Sequence, residues 1–543
     1  MEAILESGLY ESCIGGGSGK MDDPCLANTA RDLKELAERV NSGLEPFGLY
    51  YKLTADIDMS AYGASFNGGK GWAPIGRDFN HPFTGYFDGD GKTVSNLFID
   101  DGELDNAGLF GLVEGGTVEN LAVVDVNIYA RNNVGGVAGS IDNGGCVHNC
   151  HASGKVSGDQ NIGGVAGLVD NNGRVSNCRA EGEVSGDQNT GGAAGLVENN
   201  GRVINCRAAC KVSGNGYYVG GVAGWVGANS SVEDCFAAGE VSGGSSAVGG
   251  VAGYVSKSKV DNCRATCDVR GNYVGGVAGF LDNSSLSDCR ATGDVSSNSF
   301  SAGGVAGFLD NSVVNNCCAA GKVSGGSFSA GGVVGYAHGS RISNSYATGD
   351  ISGANSVGGV AGDVLNSNIS NSYATGKVRG VGSVGGVAGY VSTGSSINNC
   401  YTTSDVSGFS VVGGVAGYLY NGSSVTGCAA LNSTVARVSG PASAFGRVVG
   451  GVDAGGMLNN NVALEGMDLS TTGAAVVSNG SGKHGANIAS ADAKLQTSYT
   501  VAALKWAFGD GAANPWKWGG ESHPLPVLHW GAEIPASLPG HLR

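Results

Sequence analysis

Short apolar segments alternate with glycine and small polar residues along most of the chain, in a pattern that repeats about every 28 residues. Two successive copies, "NIGGVAGLVDNNGRVSNCRAEGEVSG" (161–186) and "NTGGAAGLVENNGRVINCRAACKVSG" (189–214), show the unit. Each contains three extended segments, such as GGVAGLV, GRVSNCRA and GEVSG, separated by turn-forming Asn, Asp, Ser or Gly. This pattern predicts a solenoid in which each unit packs only against its neighbours.

The kind of solenoid follows from the glycines. Glycine every few residues excludes helical repeats, which need windows of about ten or more residues with a 3.6-residue period. The first glycine of each GGVAG-like block recurs at intervals of 26–29 residues from Gly135 to Gly413. We therefore predict an all-β fold, a right-handed parallel β-helix of about thirteen three-strand coils, with its repeats over residues 107–450.

The two ends of the chain depart from the repeat. We predict that residues 1–25 form a flexible or assembly-related segment. We predict that residues 26–106 form a small α+β cap with one helix over 29–42 and several strands. Residues 451–543 predict degenerate coils and an aromatic-rich cap over the last coil, with a separate carbohydrate-binding patch as the alternative. The tryptophans concentrated there are Trp506, Trp516, Trp518 and Trp530.

Composition and charge exclude several classes of protein. The chain has 543 residues with 99 glycines and a net charge of −16, which argues against nucleic acid or an anionic membrane as a partner. No apolar run of about 18 residues occurs, so we expect no membrane span. A hydrophobic content of 41% argues against a disordered chain.

One position of the repeat is almost always cysteine, with Ser345 and Ser372 in two coils. Strand alternation points this column inward. No pair has zinc-site spacing, so we expect no metal and interpret the column as a structural ladder of reduced thiols, with disulfides between neighbouring coils as the alternative. Cys13 and Cys25, outside the repeats, are candidates for a free thiol or a pairing between chains. The ladder comprises Cys150, Cys178, Cys206, Cys235, Cys263, Cys289, Cys317, Cys400 and Cys428.

A large aromatic residue directly follows most of the glycine blocks. If the preceding valines point inward, this column points outward, and Ser140 and Asp363 in the same column agree, because an unpaired carboxylate inside would be costly. The alternative is the opposite strand phase, with the rings stacked inside. We predict an aromatic stripe that contacts sugar rings, another protein or a sister subunit. The stripe comprises Trp225, Tyr254, Phe280, Phe308, Tyr336, Tyr390 and Tyr418.

The segment "SVGGVAGYVSTGSSINNCYTTSDVSG" (383–408) resembles the GLUG motif of bacterial surface proteins. The lead-in "YYKLTADIDMSAY … GWAPIG … PFTGYFDGDGKTVSNL" and the closing "W … HPLPVLHW" resemble the segments that flank such arrays. The resemblance implies an extracellular or cell-surface protein, usually an adhesive or spacer region. The N-terminus lacks the basic start and apolar stretch of a secretion signal, so we expect a removed signal or another export route.

Some GLUG relatives carry the motif beside zinc metallopeptidases that cut immunoglobulin A. Such a peptidase needs H-E-x-x-H, and none of the eight histidines here is followed by Glu. The resemblance therefore implies the repeat part without that catalytic part.

Three functions remain open at this point. The first is a non-catalytic, adhesin-like extracellular scaffold whose outer faces contact other protein subunits, surface proteins or glycans. The second is a self-assembling subunit of a homo-oligomer, filament or surface layer. The third is a polysaccharide-active enzyme with clustered catalytic carboxylates. The candidate carboxylates recur at one turn position of the repeat, and this recurrence favours a role in forming the turns. We therefore expect no enzyme, catalytic residue or cofactor. Those carboxylates are Asp142, Asp170, Glu198, Asp282 and Asp310.

Overall fold

A computed structural model describes residues 13–244, 247–438, 444–453, 455–470, 480–500, 504–509, 514–531 and 538–542. The chain divides into two compact units, Met1–Val241 and Ser242–Arg543. Both are all-β parallel solenoids, with about 16 turns in total, which confirms the predicted all-β parallel β-helix. Residues 1–12 of the expected flexible or assembly-related segment lie outside the described residues.

Each coil contributes strands to three faces. The face whose strands follow the glycine block is called the first face, and the second and third faces follow it in chain order. In the first unit, the first face consists of Phe110–Glu114, Ala138–Asp142, Ala166–Val169, Ala194–Val197 and Ala223–Val226. The second face consists of Cys25–Ala27, Tyr50–Leu53, Tyr86–Asp88, Thr117–Glu119, Cys146–His148, Arg174–Ser176, Arg202–Ile204 and Ser231–Glu233. The third face consists of Ile57–Asp58, Thr93–Ser95, Phe98–Ala107, Ala122–Gly135, His151–Gly163, Arg179–Gly191, Arg207–Gly220 and, running to the unit boundary, Phe236–Gly243.

The second unit repeats this plan with shorter strands. Its first face consists of Ala252–Ser256, Ala278–Asp282, Ala306–Asp310, Val334–His338, Ala361–Leu365, Ala388–Ser392, Ala416–Leu419 and Val449–Val452. Its second face consists of Lys259–Asp261, Ser285–Ser287, Val313–Asn315, Arg341–Ser343, Asn368–Ser370, Ser396–Asn398, Ser424–Thr426 and Met457–Asn459.

The third face of the second unit is broken into three short pieces per coil. The first pieces are Arg264–Ala265, Arg290–Ala291, Cys318–Ala319, Tyr346–Ala347, Tyr373–Ala374, Tyr401–Thr402, Ala429–Ala430, Val462–Leu464 and Ala486–Ile488. The middle pieces are Asp268–Gly271, Val295–Ser297, Val323–Ser324, Ile351–Ser352, Val378–Gly380, Val406–Gly408, Thr434–Arg437 and Asp468–Ser470. The last pieces are Ala247–Gly249, Tyr273–Gly275, Ala302–Gly303, Ser329–Gly331, Ser356–Gly358, Ser383–Gly385, Val411–Gly413 and Phe445–Gly446.

Columns of Val and Ala fill the interior. In one coil of the first unit, Ala166, Val169, Val175, Ala180 and Val184 are all buried. The parallel register places identical residues of neighbouring coils opposite each other, with Val175 opposite Val203 and Ala180 opposite Ala208. Small side chains recur because each coil must offer the next the same narrow apolar surface.

Asparagine forms the corner before most of the ladder cysteines. Asn177 has a φ of 55° and Asn205 a φ of 50°, the left-handed conformation that Asn tolerates better than most residues. The amide Nδ2 of Asn205 donates to Oδ1 of Asn177 at 2.7 Å. The repeated Asn therefore sets the corner and links neighbouring coils through an amide ladder.

The segment 26–106 does not form a separate α+β cap, which corrects that prediction. Its strands stack in parallel register on the following coils: Cys25 lies opposite Tyr51, Tyr51 opposite Phe87 and Phe87 opposite Val118. This stacking also explains why there are about 16 turns instead of about thirteen. The early coils show no regular period in the sequence because long insertions separate their strands.

The predicted helix lies in one of those insertions. It spans Ala30–Asn41, begins with a capping box between Thr29 and Asp32, and buries Leu33, Leu36, Ala37 and Val40. Short 3₁₀ turns follow at Ser60–Tyr62 and Asn67–Gly69. Near the chain end lie the helices Ser490–Ala493 and Thr497–Thr500 and the 3₁₀ turn Gly540–Leu542.

The C-terminal segment, defined here as the described residues 504–509, 514–531 and 538–542, packs in a different place from the one predicted. Its antiparallel strands Trp516–Trp518 and Pro526–Leu528 lie against the third face of the second unit. The Tyr401 hydroxyl donates to the carbonyl of Pro526 at 2.8 Å. The tryptophans therefore cover the side of several coils, and the expected position over the last coil was wrong for them.

Candidate interaction surface

The aromatic stripe lies on the outer side of the first face. Tyr254, for example, is half-buried between the buried Gly253 and Val255. The other members alternate with buried neighbours in the same way, in the first unit at Trp225 and in the second at Phe280, Phe308, Tyr336, Tyr390 and Tyr418. This alternation fits the outward phase.

The rings of the stripe stack on one another along successive coils of the second unit. Phe280 and Phe308 have centroids 4.6 Å apart with planes at 11°, and Phe308 and Tyr336 are 4.7 Å apart at 13°. Tyr254 stacks 5.2 Å from Phe280, and Tyr390 with Tyr418 forms a further pair at 5.8 Å. The ring faces are thus largely occupied by neighbours, and their edges point outward.

A second aromatic ladder lies beside the stripe and was missed by the sequence analysis. Tyr273 stacks on Phe300 at 4.9 Å, and Phe300 stacks on Phe328 at 5.6 Å. Tyr273 also meets Phe280 and Phe308 edge-on. The duplicated SFSAGG at 299–304 and 327–332 was the available signal. Phe328, 56% exposed, extends the apolar surface outward.

Asp363 interrupts the stripe. It lies in register between Tyr336 and Tyr390 and is half-buried among aromatic rings. Burial raises the pKa of its carboxyl from the usual 3.8 to about 6, opposed by the backbone amide of Val364. The charged form is therefore poorly solvated at this position.

The predicted cysteine ladder faces inward, and its cysteines are reduced. In the first unit, the backbone N–H of Cys150 donates to Sγ of Cys178 at 3.4 Å, and the Cys178 thiol donates to the Ser176 carbonyl at 3.2 Å. In the second unit, the N–H of Cys317 donates in the same way to Oγ of Ser345 at 3.1 Å. Burial raises the pKa of the Cys178 and Cys289 thiols, which disfavours the reactive thiolate.

Cys13 and Cys25 form a disulfide with each other. The prediction that they supply a free thiol or an intermolecular pair was therefore wrong. Both lie before the repeats, where Cys25 opens the first strand of the second face.

Outward-facing tyrosines on the third face form a third aromatic column. Tyr346, Tyr373 and Tyr401 stack at 4.9 Å and are all buried, although Arg264 at the same register position is exposed. The C-terminal segment covers them, with Trp516 5.8 Å from Tyr401.

Four of the five acidic residues of the enzyme hypothesis hydrogen-bond to side chains of neighbouring coils. Oδ1 of Asp142 accepts from Nδ2 of Asn171 at 2.9 Å, and Oδ1 of Asp170 accepts from Nδ2 of Asn199 at 2.8 Å. Burial, then the neighbouring Asp170, raises the pKa of Glu198. In the second unit, Asp282 accepts from Ser256 and Asp310 pairs with His338.

The described residues contain neither a metal-binding cluster nor a membrane-spanning helix. No group of three or more His, Cys, Asp or Glu side chains among them could hold a metal ion. In that same part of the chain, no helix is long and apolar enough to cross a membrane.

Comparison with known proteins identifies the repeat. The family model described as "The GLUG motif" matches six times, at residues 158–185, 215–242, 244–270, 270–296, 326–352 and 353–379. The chain is thus a β-helical protein containing GLUG repeats, which confirms the predicted resemblance.

Two curated relatives match part of the chain. "Halomucin" of Haloquadratum walsbyi is 41% identical over 144 residues, which cover 26% of this chain and 2% of that protein. A "Putative Gly-rich membrane protein" of Evansella cellulosilytica is 34% identical over 113 residues, covering 21% of this chain and 12% of that protein. The chain thus matches only a small part of either relative.

A similar solved structure is described as the "Crystal structure of a putative immunoglobulin A1 protease from Bacteroides ovatus". It shares 23% identity, with a TM-score of 0.38, over 52% of this chain and 79% of that one.

Proposed function

We propose that this chain is a non-catalytic β-helical scaffold at a cell surface, and that it contacts another protein through the aromatic stripe. The observation that carries the proposal is the stack from Tyr254 to Tyr336, with centroids 4.6–5.2 Å apart on an outer face. With the ladder of Tyr273, Phe300 and Phe328, this stack makes a continuous apolar surface. Exposed apolar surface of this kind is typical of interaction sites.

The geometry of the rings favours a protein over a glycan at the stripe. A sugar ring binds by lying against the free face of an aromatic ring. Phe280 and Phe308, at 4.6 Å and 11°, cover each other's faces and offer edges. Aromatic edges pack well against apolar side chains of a protein partner.

The relatives support a surface location. One bears the name halomucin and the other is named a membrane protein. The reduced cysteines do not oppose a surface location, because a buried thiol with a raised pKa, such as Cys178, resists oxidation.

The carboxylates support a non-catalytic role. Asp142 and Asp170 each accept a hydrogen bond from an Asn of the next coil, at 2.9 and 2.8 Å. A carboxylate so engaged at a repeated turn position acts in the turn, since a general acid or base needs a substrate within reach.

Photocrosslinking tests the contact. We expect Phe308→benzoylphenylalanine, in protein displayed on the cells that produce it, to form an adduct with a second surface protein on irradiation. The matched control is Tyr129→benzoylphenylalanine, because Tyr129 is 44% exposed but lies outside the stripe. Absence of any adduct at position 308, or equal adducts at both positions, would count against the proposed contact.

Self-association is the second candidate, since the same apolar surface could pack laterally on a second copy. Negative-stain imaging of purified protein tests it. Ordered lateral assemblies that disappear in Phe308→Ala and persist in Tyr129→Ala support self-association. Single molecules under all conditions oppose it.

A further inference from the structure

A cavity of about 810 Å³ lies within the second unit, between the third face and the C-terminal segment. Its coil wall includes Thr348, Thr375 and Thr403, and its other wall includes His523 and Leu525. The volume falls in the range of about 300–1,000 Å³ that is usual for small-molecule sites. The cavity is separate from the aromatic stripe, which lies on the first face.

The three threonines form a column of hydroxyl groups. They occupy the same position in successive coils, two residues after Tyr346, Tyr373 and Tyr401 in the sequences YAT, YAT and YTT. The backbone N–H of Thr403 donates to the carbonyl of Ala374 at 3.1 Å, which fixes the strand. The Thr403 side chain is buried, yet its Oγ1 has no hydrogen-bond partner among the described residues.

His523 presents the same feature from the opposite wall. Its ring is only 2% exposed, and neither Nδ1 nor Nε2 is hydrogen-bonded to another described residue. Burial lowers the pKa of its imidazole, so the ring is neutral and offers one donor and one acceptor. Buried polar groups in proteins are normally paired, so two unpaired groups lining one cavity indicate a ligand.

The remaining lining indicates the class of that ligand. Lys377 and Arg290 bring positive charge and Asp405 brings negative charge, so the cavity lining carries charges of both signs. Tyr346, Leu525 and Pro539 add apolar surface. A sugar matches this lining, because its hydroxyl groups both donate and accept hydrogen bonds and the C–H faces of its ring are apolar.

We propose that this cavity binds a short oligosaccharide, with the Thr403 hydroxyl and the His523 imidazole hydrogen-bonding to sugar hydroxyls. The proposal does not depend on the protein contact proposed for the stripe. It gives the C-terminal segment a second role besides covering the tyrosine column.

Saturation-transfer difference NMR on the full chain tests the site, with cellobiose, lactose, N,N′-diacetylchitobiose and digalacturonate as probes. We expect signal transfer to at least one sugar, and the digalacturonate arm separates an acidic sugar from a neutral one. Thr403→Val should weaken that binding at least tenfold, as should His523→Leu. The matched control, Thr426→Val on the second face, should bind as the parent does.

A thermal melt separates a ligand-binding role from a structural one. Because the Thr403 hydroxyl has no hydrogen-bond partner in the described part of the chain, Thr403→Val should keep the melting temperature of the parent while losing sugar binding. Phe308→Ala should retain sugar binding, so the test of the cavity remains valid even if the proposal for the aromatic stripe fails. The proposal is overturned if none of the four probes binds, or if binding survives both Thr403→Val and His523→Leu.

Discussion

At the scale of single residues, side chains of the repeat stabilise the stacking of the coils by hydrogen-bonding to backbone groups of a neighbouring coil. The Cys178 sulfur accepts the N–H of Cys150, and Ser345 accepts that of Cys317 in the same column. Serine can stand in for cysteine because both side chains are small and can accept this hydrogen bond. The column is therefore specified by size and hydrogen bonding, with no need for thiol chemistry.

Substitution of Cys178 checks this account. We expect Cys178→Ser to change the free energy of unfolding by less than about 1 kcal/mol, because the acceptor is kept. Cys178→Val should cost about 1–3 kcal/mol, since it leaves the buried N–H of Cys150 unpaired. Thermal melts of the two variants measure the difference, and equal melting temperatures would contradict the hydrogen-bonding role.

Asp363 makes stability depend on pH. Its folded pKa of about 6 lies above the ordinary 3.8, so its protonated form is favoured in the folded chain. Its contribution to stability is complete below about pH 3.8 and is lost as the pH rises through about 6. Asp363→Asn should therefore raise the melting temperature at about pH 7.5 and leave it nearly unchanged at about pH 3.5. The same increase at both pH values would show that charge is not the cause.

At the scale of the strand and its corners, the paired glycines are dictated by backbone proximity. A Cβ added to Gly276 would lie 2.1 Å from the carbonyl oxygen of Gly304 and 2.6 Å from Cβ of Ala291. Successive coils turn so closely here that no side chain fits. This steric demand explains why the GG pair persists while the charged residues of the repeat vary.

Gly276→Ala should consequently destabilise the second unit by about 1–3 kcal/mol or more, because backbone must shift to relieve the contact. Gly466→Ala is the matched control, since a Cβ there meets nothing within 4 Å. Unfolding in urea, followed by circular dichroism, measures both. Comparable midpoints for the two variants would refute the close-approach argument.

The parts of the element plan that were predictable are those that repeat. The inward Cys178 and the outward Phe280 follow from strand alternation once the period is known. The strands Cys25–Ala27 and Tyr50–Leu53 were not assigned to coils, because a helical insertion separates them and hides the period. The partner of Cys13 was also missed, since pairing depends on proximity that no spacing rule supplies.

At the scale of the whole molecule, the long-range packing could not be predicted from periodicity. Tyr346, Tyr373 and Tyr401 have the same outward phase as the exposed Arg264, and only the C-terminal segment makes them buried. Its docking site is set by contacts such as Tyr401 to Pro526, 125 residues apart in sequence. The cavity between the two escaped prediction for the same reason.

Trp516 is the residue on which this docking chiefly depends. It is fully buried, stacks on Trp506 at 4.8 Å and lies 5.8 Å from Tyr401. Trp516→Ala should cost the docked segment about 3–5 kcal/mol, so that limited proteolysis removes it while the coils, which stack only on their neighbours, stay folded. Trp518→Ala, at a half-buried position of the same strand, should resist cleavage better. Cleavage within the coils of the Trp516 variant would instead mean that the segment is needed for the solenoid to fold.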